Sequence, residues 1–189
     1  MVDNKLLRDG GKGRRPDGRW YVYYQYRDTS NYRNIGAYLS DTTDLSGDWT
    51  DLGVLIADNG ANEQRYGIKV FWYDGKCYGS LLNYDASTEL TKIGLWDSED
   101  GQSWRCLYDW ITHGSEGEWD EGILWQGKFV DLGNNWRYYY SGGQEDHATH
   151  PQRKVAVGYV HNATATPSYL TAINGSAIMT HDGKFIYIG

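Results

Sequence analysis

Short apolar and aromatic runs alternate along the chain with polar segments that contain glycine. The clearest example is residues 119–143, in which the acidic pair Asp120 and Glu121 precedes an apolar run, a Gly-Asn-Asn turn and an aromatic run. Two such runs joined by a short glycine turn are typical of a β-hairpin. This stretch is therefore predicted to be a hairpin with carboxylates at one end.

The same phrase recurs along the chain. A turn sequence, Asp-Gly or Gly-Asn-Asn, is followed by a predicted strand that contains at least one aromatic residue at 17–24, 74–81, 133–140 and 182–187. The turn glycines Gly18, Gly75 and Gly133 are 57 and 58 residues apart (75−18 and 133−75), and Gly183 follows after 50 (183−133). Two further landmarks follow the turn, namely Ile-Gly or Val-Gly in the first three copies and Ser-Asp or Ser-Glu-Asp with a later Trp in the first two.

A repeat of about 50–60 residues with several short strands indicates a propeller or a linear array. We therefore predict an all-β fold, a β-propeller of four-stranded antiparallel blades. The predicted divisions are an N-terminal arm at 1–16, blades at about 17–65, 66–115 and 120–173, and a terminal hairpin at 176–189. A β-sandwich with coincidental turn spacing is the alternative.

Three repeats and a fragment are fewer than the four or more blades of most propellers. Three explanations stay open: a longer polypeptide, a partner chain or self-association that completes the ring, or an open array of blades. Unpaired sheet edges favour association, because an exposed edge is a template for pairing.

Composition narrows the classes of partner. The formal net charge is −7, which disfavours binding to nucleic acid. No apolar run approaches the roughly 20 residues of a membrane-spanning helix, and no secretory signal is visible, so the sequence predicts no membrane partner and leaves the compartment open. The 9 Trp and 17 Tyr outnumber the 3 Phe, and such amphipathic rings suit either blade packing or stacking on sugars.

The order of these phrases resembles the five-bladed propeller glycoside hydrolases, the clan of β-fructosidases, arabinosidases and xylosidases. Residues 67–75, Gly-Ile-Lys-Val-Phe-Trp-Tyr-Asp-Gly, are similar to the second-blade phrase Asp-Pro-Lys-Val-Phe-Trp-x-Asp-Gly of that clan. Residues 119–125 and 139–143 resemble a third-blade phrase of glycosidase-like propellers. The resemblance extends loosely over the whole chain and implies an incomplete five-bladed ring.

The resemblance also implies a site of three carboxylates. The first-blade Asp, a base or nucleophile in that clan, matches Asp9, although Gly10 replaces the usual following Pro. The second-blade Asp, which tunes the acid, is replaced by Gly67, and Glu63 is a candidate substitute. The third-blade Glu, the general acid, matches Glu121, with Asp120 as its rival. Acid and base carboxylates in glycosidases lie about 5–10 Å apart.

Four further residues are candidates for substrate binding, namely Trp72, Trp125, Arg65 and His147. Trp72 and Trp125 would be stacking platforms for sugar rings, and His147 lies in a loop that could reach over the ring. The loop at 145–150 has a His-x-x-His spacing with acidic neighbours, but zinc would need a further ligand, so a polar surface loop is favoured. We predict no metal site and no cofactor.

Two hypotheses for function follow. The first is a carbohydrate-active propeller that hydrolyses or binds a glycan at the ring axis. The second is a catalytically inactive relative that binds glycan or builds a structural, virion-type assembly. The replacement of a clan carboxylate by Gly67 is the feature that separates them.

Overall fold

The structure is a computed structural model of the 189-residue chain. It describes residues 12–15, 17–43, 45–60, 62–73, 76–131, 136–147, 156–161, 168–173, 177–180 and 185–187. Within these ranges all the regular secondary structure is β-strand, so the all-β prediction is confirmed. Among the same residues there is no helix long and apolar enough to cross a membrane.

The strands form three sheets. The first contains β1 (Lys12–Arg14), β2 (Trp20–Arg27), β3 (Arg33–Ser40) and β4 (Trp49–Ile56). The second contains β5 (Gln64–Tyr73), β6 (Lys76–Asp85), β7 (Leu90–Ser98) and β8 (Arg105–Ile111). The third contains β9 (Ile123–Asp131), β10 (Trp136–Gly143), β11 (Ala156–His161), β12 (Ser168–Ile173), β13 (Ala177–Thr180) and β14 (Phe185–Tyr187).

Within each sheet, every strand pairs antiparallel with its neighbours in the sequence. Such a meander of about four strands is the arrangement of a propeller blade. The predicted propeller is therefore confirmed, with three consecutive blades. The strand β1 lies inside the segment predicted as an arm, and β13 and β14 extend the third sheet.

The Ile-Gly landmark of the first sheet and the Val-Gly landmark of the third share a packing reason. Gly36 lies directly opposite Tyr24 in the pairing of β2 with β3, and Gly158 lies opposite Tyr140 in the pairing of β10 with β11. A Cβ atom at Gly36 would come within 2.6 Å of the Tyr24 ring, and one at Gly158 within 2.7 Å of the Tyr140 ring. Each glycine makes room for the ring of the tyrosine that it faces.

Two apolar cores lie between the sheets. The core between the first and second sheets contains Tyr21, Tyr23, Ile35, Ala37, Leu39, Ile56, Ile68, Leu81 and Trp96. The core between the second and third sheets contains Leu82, Ile93, Leu95, Ile111, Leu124, Phe129, Tyr138 and Tyr140. The blades thus pack face to face, and the second sheet is covered on both sides.

Two tyrosine hydroxyls join the first blade to the second. Tyr21 donates to the carbonyl of Asp100 at 2.8 Å, and Tyr23 donates to the carbonyl of Gly101 at 2.7 Å. Both rings are fully buried. A buried hydroxyl needs such a partner, because leaving it unpaired would cost about 1–3 kcal/mol.

The first strands of the sheets lie beside one another at the inner edge of the blades. β5 is next to both β1 and β9. Tyr66, early in β5, contacts Trp125, early in β9, with ring centroids 5.8 Å apart, and Phe71 stacks on Phe129 further along at 3.8 Å. The two strands therefore run in the same direction. We call the end at which β5 and β9 begin the starting end of the ring.

The hydroxyl of Tyr23 can be tested directly. We expect Tyr23→Phe to lower the free energy of unfolding by about 1 kcal/mol, since the buried bond to Gly101 is lost while the ring stays. The matched control is Tyr26→Phe, further along β2 at a less buried position, which should change stability by less than about 0.5 kcal/mol. Urea unfolding of both variants measures this, and equal effects would contradict the inter-blade role.

Candidate functional site

Aromatic and charged side chains from all three sheets meet at the starting end of the ring. We call this group the mouth cluster, and it consists of Arg33, Tyr66, Tyr84, Glu89, Trp125 and His147. Strand direction explains the meeting: β3, β5 and β9 begin at this end, β6 ends there, and residue 147 follows the end of β10. Adjacent antiparallel strands bring these ends to one side of the ring.

His147 is at the centre of the mouth cluster. Its ring centroid lies 5.1 Å from that of Tyr84, 5.6 Å from that of Tyr66 and 5.9 Å from that of Trp125. Its Nε2 is 3.2 Å from the Tyr66 hydroxyl and its Nδ1 is 3.5 Å from Oε2 of Glu89. Polar contacts at both ring nitrogens thus fix the orientation of the imidazole.

Glu89 holds the loop of His147 as well as its ring. The amide of His147 donates to the carbonyl of Glu89 at 3.0 Å. Glu89 has a φ of +57°, a left-handed conformation that few residues other than glycine adopt. Its turn between β6 and β7 therefore places both a carbonyl and a carboxylate against His147.

A β-bulge brings Tyr66 into the mouth cluster. The pairing of β5 with β6 shifts between Arg65 and Gly67, which leaves Tyr66 as the extra residue. Bulges reorient a side chain and are common beside active sites. The Tyr66 ring consequently contacts Trp125 of the third sheet, while its neighbours remain in the ladder.

Gly67, which the resemblance to the glycosidase clan predicts to replace a carboxylate, has a glutamine next to it. The side-chain amide of Gln126, on β9, donates to the carbonyl of Gly67 at 2.8 Å and also to the carbonyl of Ser80. Glu63, the candidate substitute, is hydrogen-bonded to Arg65 and Asn59. Burial raises the pKa of Glu63, but those hydrogen bonds outweigh it and the pKa is lowered overall.

The acidic pair lies immediately before β9, at the same starting end. Glu121 is half-buried, and its carboxylate accepts a hydrogen bond from the amide of Gly117. Asp120 is only 3 % exposed and packs beside Trp119 and Tyr140. The two neighbouring carboxylates therefore lie in different surroundings, one against a surface loop and one inside the blade.

Asp120 has a raised pKa. Burial raises its pKa above the ordinary value of 3.8, and the charge of Glu118 adds to this effect. Its own amide, the Tyr140 hydroxyl at 3.5 Å and the Gly114 amide oppose the rise without cancelling it. Oδ1 meets no donor at good hydrogen-bond geometry among the described residues. A carboxyl group with a raised pKa can hold a proton nearer to neutral pH.

The structure brings together some of the sequence-predicted residues and separates others. Trp125 and His147 are in the mouth cluster. Arg65 is 7 % exposed, and its guanidinium donates to Glu63, Asn83 and the carbonyl of Ala57. Trp72 lies near the far end of β5, about 20 Å along the strand from Tyr66 at roughly 3.3 Å per residue. Asp9 lies outside the described residues.

Sequence reasoning missed several members of the site, namely Arg33, Tyr66, Tyr84, Glu89 and Gln126. Strand direction was the available signal, because the ends of even strands and the starts of odd strands share one side of a meander. The bulge at Tyr66 had no such signal, since a register shift depends on both strands of the pair.

A cavity of about 260 Å³ adjoins the mouth cluster through Tyr84. Most of its lining comes from the turn between β6 and β7 and the adjoining ends of those two strands. The lining residues are Asn62, Asn83, Tyr84, Asp85, Thr88, Leu90, Thr91, Lys92 and His113. Burial and the charge of Lys92 lower the pKa of His113. Within the described ranges no group of three or more His, Cys, Asp or Glu side chains could hold a metal ion.

The comparisons with known proteins find relatives by structure and none by sequence. No family model and no curated protein matches the chain. A family 117 glycoside hydrolase from Zobellia galactanivorans aligns with a TM-score of 0.64 at 14 % identity, covering 100 % of this chain and 72 % of that one. An α-L-arabinofuranosidase from Fusarium graminearum aligns with a TM-score of 0.63 at 15 % identity, covering 90 % and 51 %.

A sucrose-6-phosphate hydrolase from Lactobacillus gasseri aligns with a TM-score of 0.56 at 18 % identity, covering 94 % of this chain and 34 % of that one. This chain therefore spans about half or less of the length of two of these three proteins. The resemblance to propeller glycoside hydrolases is confirmed at the level of the fold. Sequence identities of 14–18 % establish a shared fold and no more.

The buried carboxyl group gives a pH-dependent prediction. Because folding raises the pKa of Asp120 above 3.8, its ionisation opposes folding, and stability is lost as the pH rises through the folded-state pKa. Asp120→Asn cannot ionise, so its melting temperature relative to the wild type should be higher at about pH 7 than at about pH 3. Glu116→Gln, an exposed change in the adjoining loop, is the control. A difference that grows on acidification would contradict the prediction.

Proposed function

We propose that this chain is a carbohydrate-active protein that binds a glycan at the starting end of its ring. The observation that carries the proposal is the mouth cluster, in which two tyrosines, a tryptophan, an imidazole and a guanidinium from three blades share one place. Amphipathic rings stack on the apolar faces of sugars while polar side chains bind the hydroxyl groups.

The fold supports the same substrate class. The structurally similar proteins include glycoside hydrolases and an α-L-arabinofuranosidase, whose names specify glycosidic substrates. Binding residues are commonly placed on loops that a rigid scaffold positions, and the mouth cluster lies at strand ends and turns of all three sheets. We therefore propose a glycan as the ligand class of this chain, and binding experiments would identify the individual sugar.

Hydrolysis would use the acidic pair before β9. In glycosidases one carboxyl group protonates the leaving oxygen, and a second acts as base or nucleophile. In this proposal Glu121 is the proton donor, because it is more exposed than Asp120 and lies just before the start of β9, the strand that carries Trp125. Asp120, with its raised pKa, is the rival donor, and Asp9 is proposed as the second carboxylate.

A second candidate function is glycan binding without hydrolysis, including a role in a structural assembly. The specific observation in its favour is the pair Gly67 and Gln126. The amide of Gln126 is hydrogen-bonded to the Gly67 carbonyl, where the resembling clan has a carboxylate. An amide cannot tune a neighbouring acid by its charge, so the site would bind a glycan but lack one part of the catalytic set.

Glycan binding is tested by replacing Trp125, the proposed stacking platform for a sugar ring. We expect Trp125→Ala to weaken binding of a glycan-array hit by about 10- to 100-fold, the loss typical of removing a central aromatic contact. Trp125→Phe should retain part of the affinity. The control is Trp72→Ala, at the far end of β5, which should leave the Kd unchanged. Calorimetric titration gives the Kd, and equal losses in both Ala variants would contradict a site at the mouth cluster.

Hydrolysis is tested on the acidic pair. If the wild type cleaves aryl glycosides or polysaccharides, Glu121→Gln should reduce kcat by about 10²–10⁴-fold while leaving glycan affinity nearly unchanged, since a general acid is removed. The side-chain amide of this variant keeps an oxygen that can accept the hydrogen bond from the Gly117 amide, so the loop conformation should be preserved. Glu116→Gln is the matched control in the same loop.

The outcomes separate the two candidates. Glycan binding without turnover in the wild type favours the inactive form. Turnover that survives Glu121→Gln but not Asp120→Asn assigns the donor to Asp120. A blank glycan array together with no turnover would overturn the proposed function as a whole.

A further inference from the structure

Two arginines face each other at the edge of the mouth cluster. Arg27, the last residue of β2, is paired with Arg33, the first residue of β3, in the ladder of the first sheet. The Arg27 guanidinium is exposed and donates to the side chain of Asn31 at 2.9 Å, whereas Arg33 is half-buried and donates to the side chain of Gln64 at 2.8 Å. Both of these acceptors are neutral amides.

Among the described residues, neither arginine has a carboxylate partner. Every ion pair at up to 4.0 Å in that part of the chain involves other cations, namely Arg15, Arg19, Arg65, Lys76, Lys92, Arg105 and His147. The nearby Asp28 accepts hydrogen bonds from the amides of Ser30 and Tyr32. Glu89, the carboxylate of the mouth cluster, faces His147 and the Tyr84 hydroxyl.

A half-buried guanidinium without a counter-charge is costly, because burial removes water from a charge that nothing neutralises. Burial lowers the pKa of Arg33, and the charge of Arg27 lowers it further. The faces of Tyr66 at 4.5 Å and Tyr84 at 5.1 Å give partial compensation through cation–π contact. Arg27 and Arg33 are thus two neighbouring positive charges that form no ion pair with a carboxylate among the described residues, although the formal net charge of the chain is −7.

The charge lies where the proposed glycan would lie. Arg33 packs on Tyr66 and Tyr84, and these same two rings pack on His147. A ligand that stacks at Trp125 is therefore close to the Arg33 guanidinium, because Trp125 contacts Tyr66 at 5.8 Å. Guanidinium groups bind planar carboxylates, and also sulfates, through paired hydrogen bonds.

We infer that the glycan bound at the mouth cluster carries an anionic substituent, a carboxylate or a sulfate ester, which pairs with Arg33 and is assisted by Arg27. The inference rests on the proposed function and specifies its substrate class. An acidic sugar would neutralise the two arginines and would place its apolar face against the aromatic rings. A neutral glycan would leave the guanidinium of Arg33 without its counter-charge.

The test uses two pairs of probes, each with a charged and a neutral member. The first pair is oligogalacturonate and the same oligosaccharide after reduction of its carboxyl groups to neutral galactose units. The second pair is sulfated carrageenan oligosaccharides and the same oligosaccharides after removal of their sulfate groups, so that the two pairs distinguish carboxylate from sulfate. Calorimetric titration of the full chain measures each Kd at low and at high salt.

We expect an acidic probe to bind about 10- to 100-fold more tightly than its neutral counterpart, the usual range for a charged hydrogen-bonded pair. Arg33→Gln should remove most of this preference, so that the Kd values of the acidic and the neutral probe become similar. Arg27→Gln should reduce it less. Salt should weaken binding of the acidic probe alone, because exposed charge pairs are screened.

Arg19→Gln is the matched control, since Arg19 precedes the opposite end of β2 and is paired with Asp17. Thermal unfolding checks that each variant is folded, and Arg33→Lys, which keeps the charge, should retain part of the preference if Arg33→Gln is unstable. Equal affinity for charged and neutral probes, or a preference that survives Arg33→Gln, would overturn the inference while the proposed function stands. If neither member of either pair binds, the inference fails, while the proposed function is decided separately by the glycan array and the turnover assay.

Discussion

The packing of the second sheet between the first and the third is the interaction on which the rest of the structure depends. Adjacent residues of β6 show it: Leu81 is buried in the core shared with the first sheet, and Leu82 in the core shared with the third. Successive side chains of a strand point to opposite faces, so a strand covered on both sides needs apolar residues in a continuous run. The tyrosine hydroxyls that cross from the first blade then fix how the first two sheets meet.

The mouth cluster exists because of that packing. Arg33 from the first sheet reaches Tyr66 and Tyr84 of the second, and Trp125 and His147 approach from the third. A change that rotated one blade against another would separate these side chains without altering any of them. The proposed binding at this site would therefore depend on core residues that the ligand does not touch, and loops at the starting end can vary while the blades stay fixed.

The sequence predicted the architecture well because propeller landmarks are local. Turn glycines, the Ile-Gly pair and aromatic strands each follow from a contact between neighbouring strands, as the fit of Gly36 against Tyr24 shows. The candidate site was predicted in part. Trp125 and His147 were named, but Arg33 and Tyr66 were not, because their meeting depends on how two sheets pack and on a shift of one residue in a ladder. Neither effect leaves a pattern in a single segment.

Because each strand pairs only with its neighbours in the sequence, the backbone of every blade closes through short-range contacts. Short-range pairing costs little loop-closure entropy, so a blade can form its ladder soon after its own residues are synthesised. The contacts between blades join residues much further apart, as in the bond from Tyr23 to Gly101, and we expect them to form later. Until they form, each blade exposes an apolar face, and wrong pairing between identical chains is the characteristic hazard of this order of assembly.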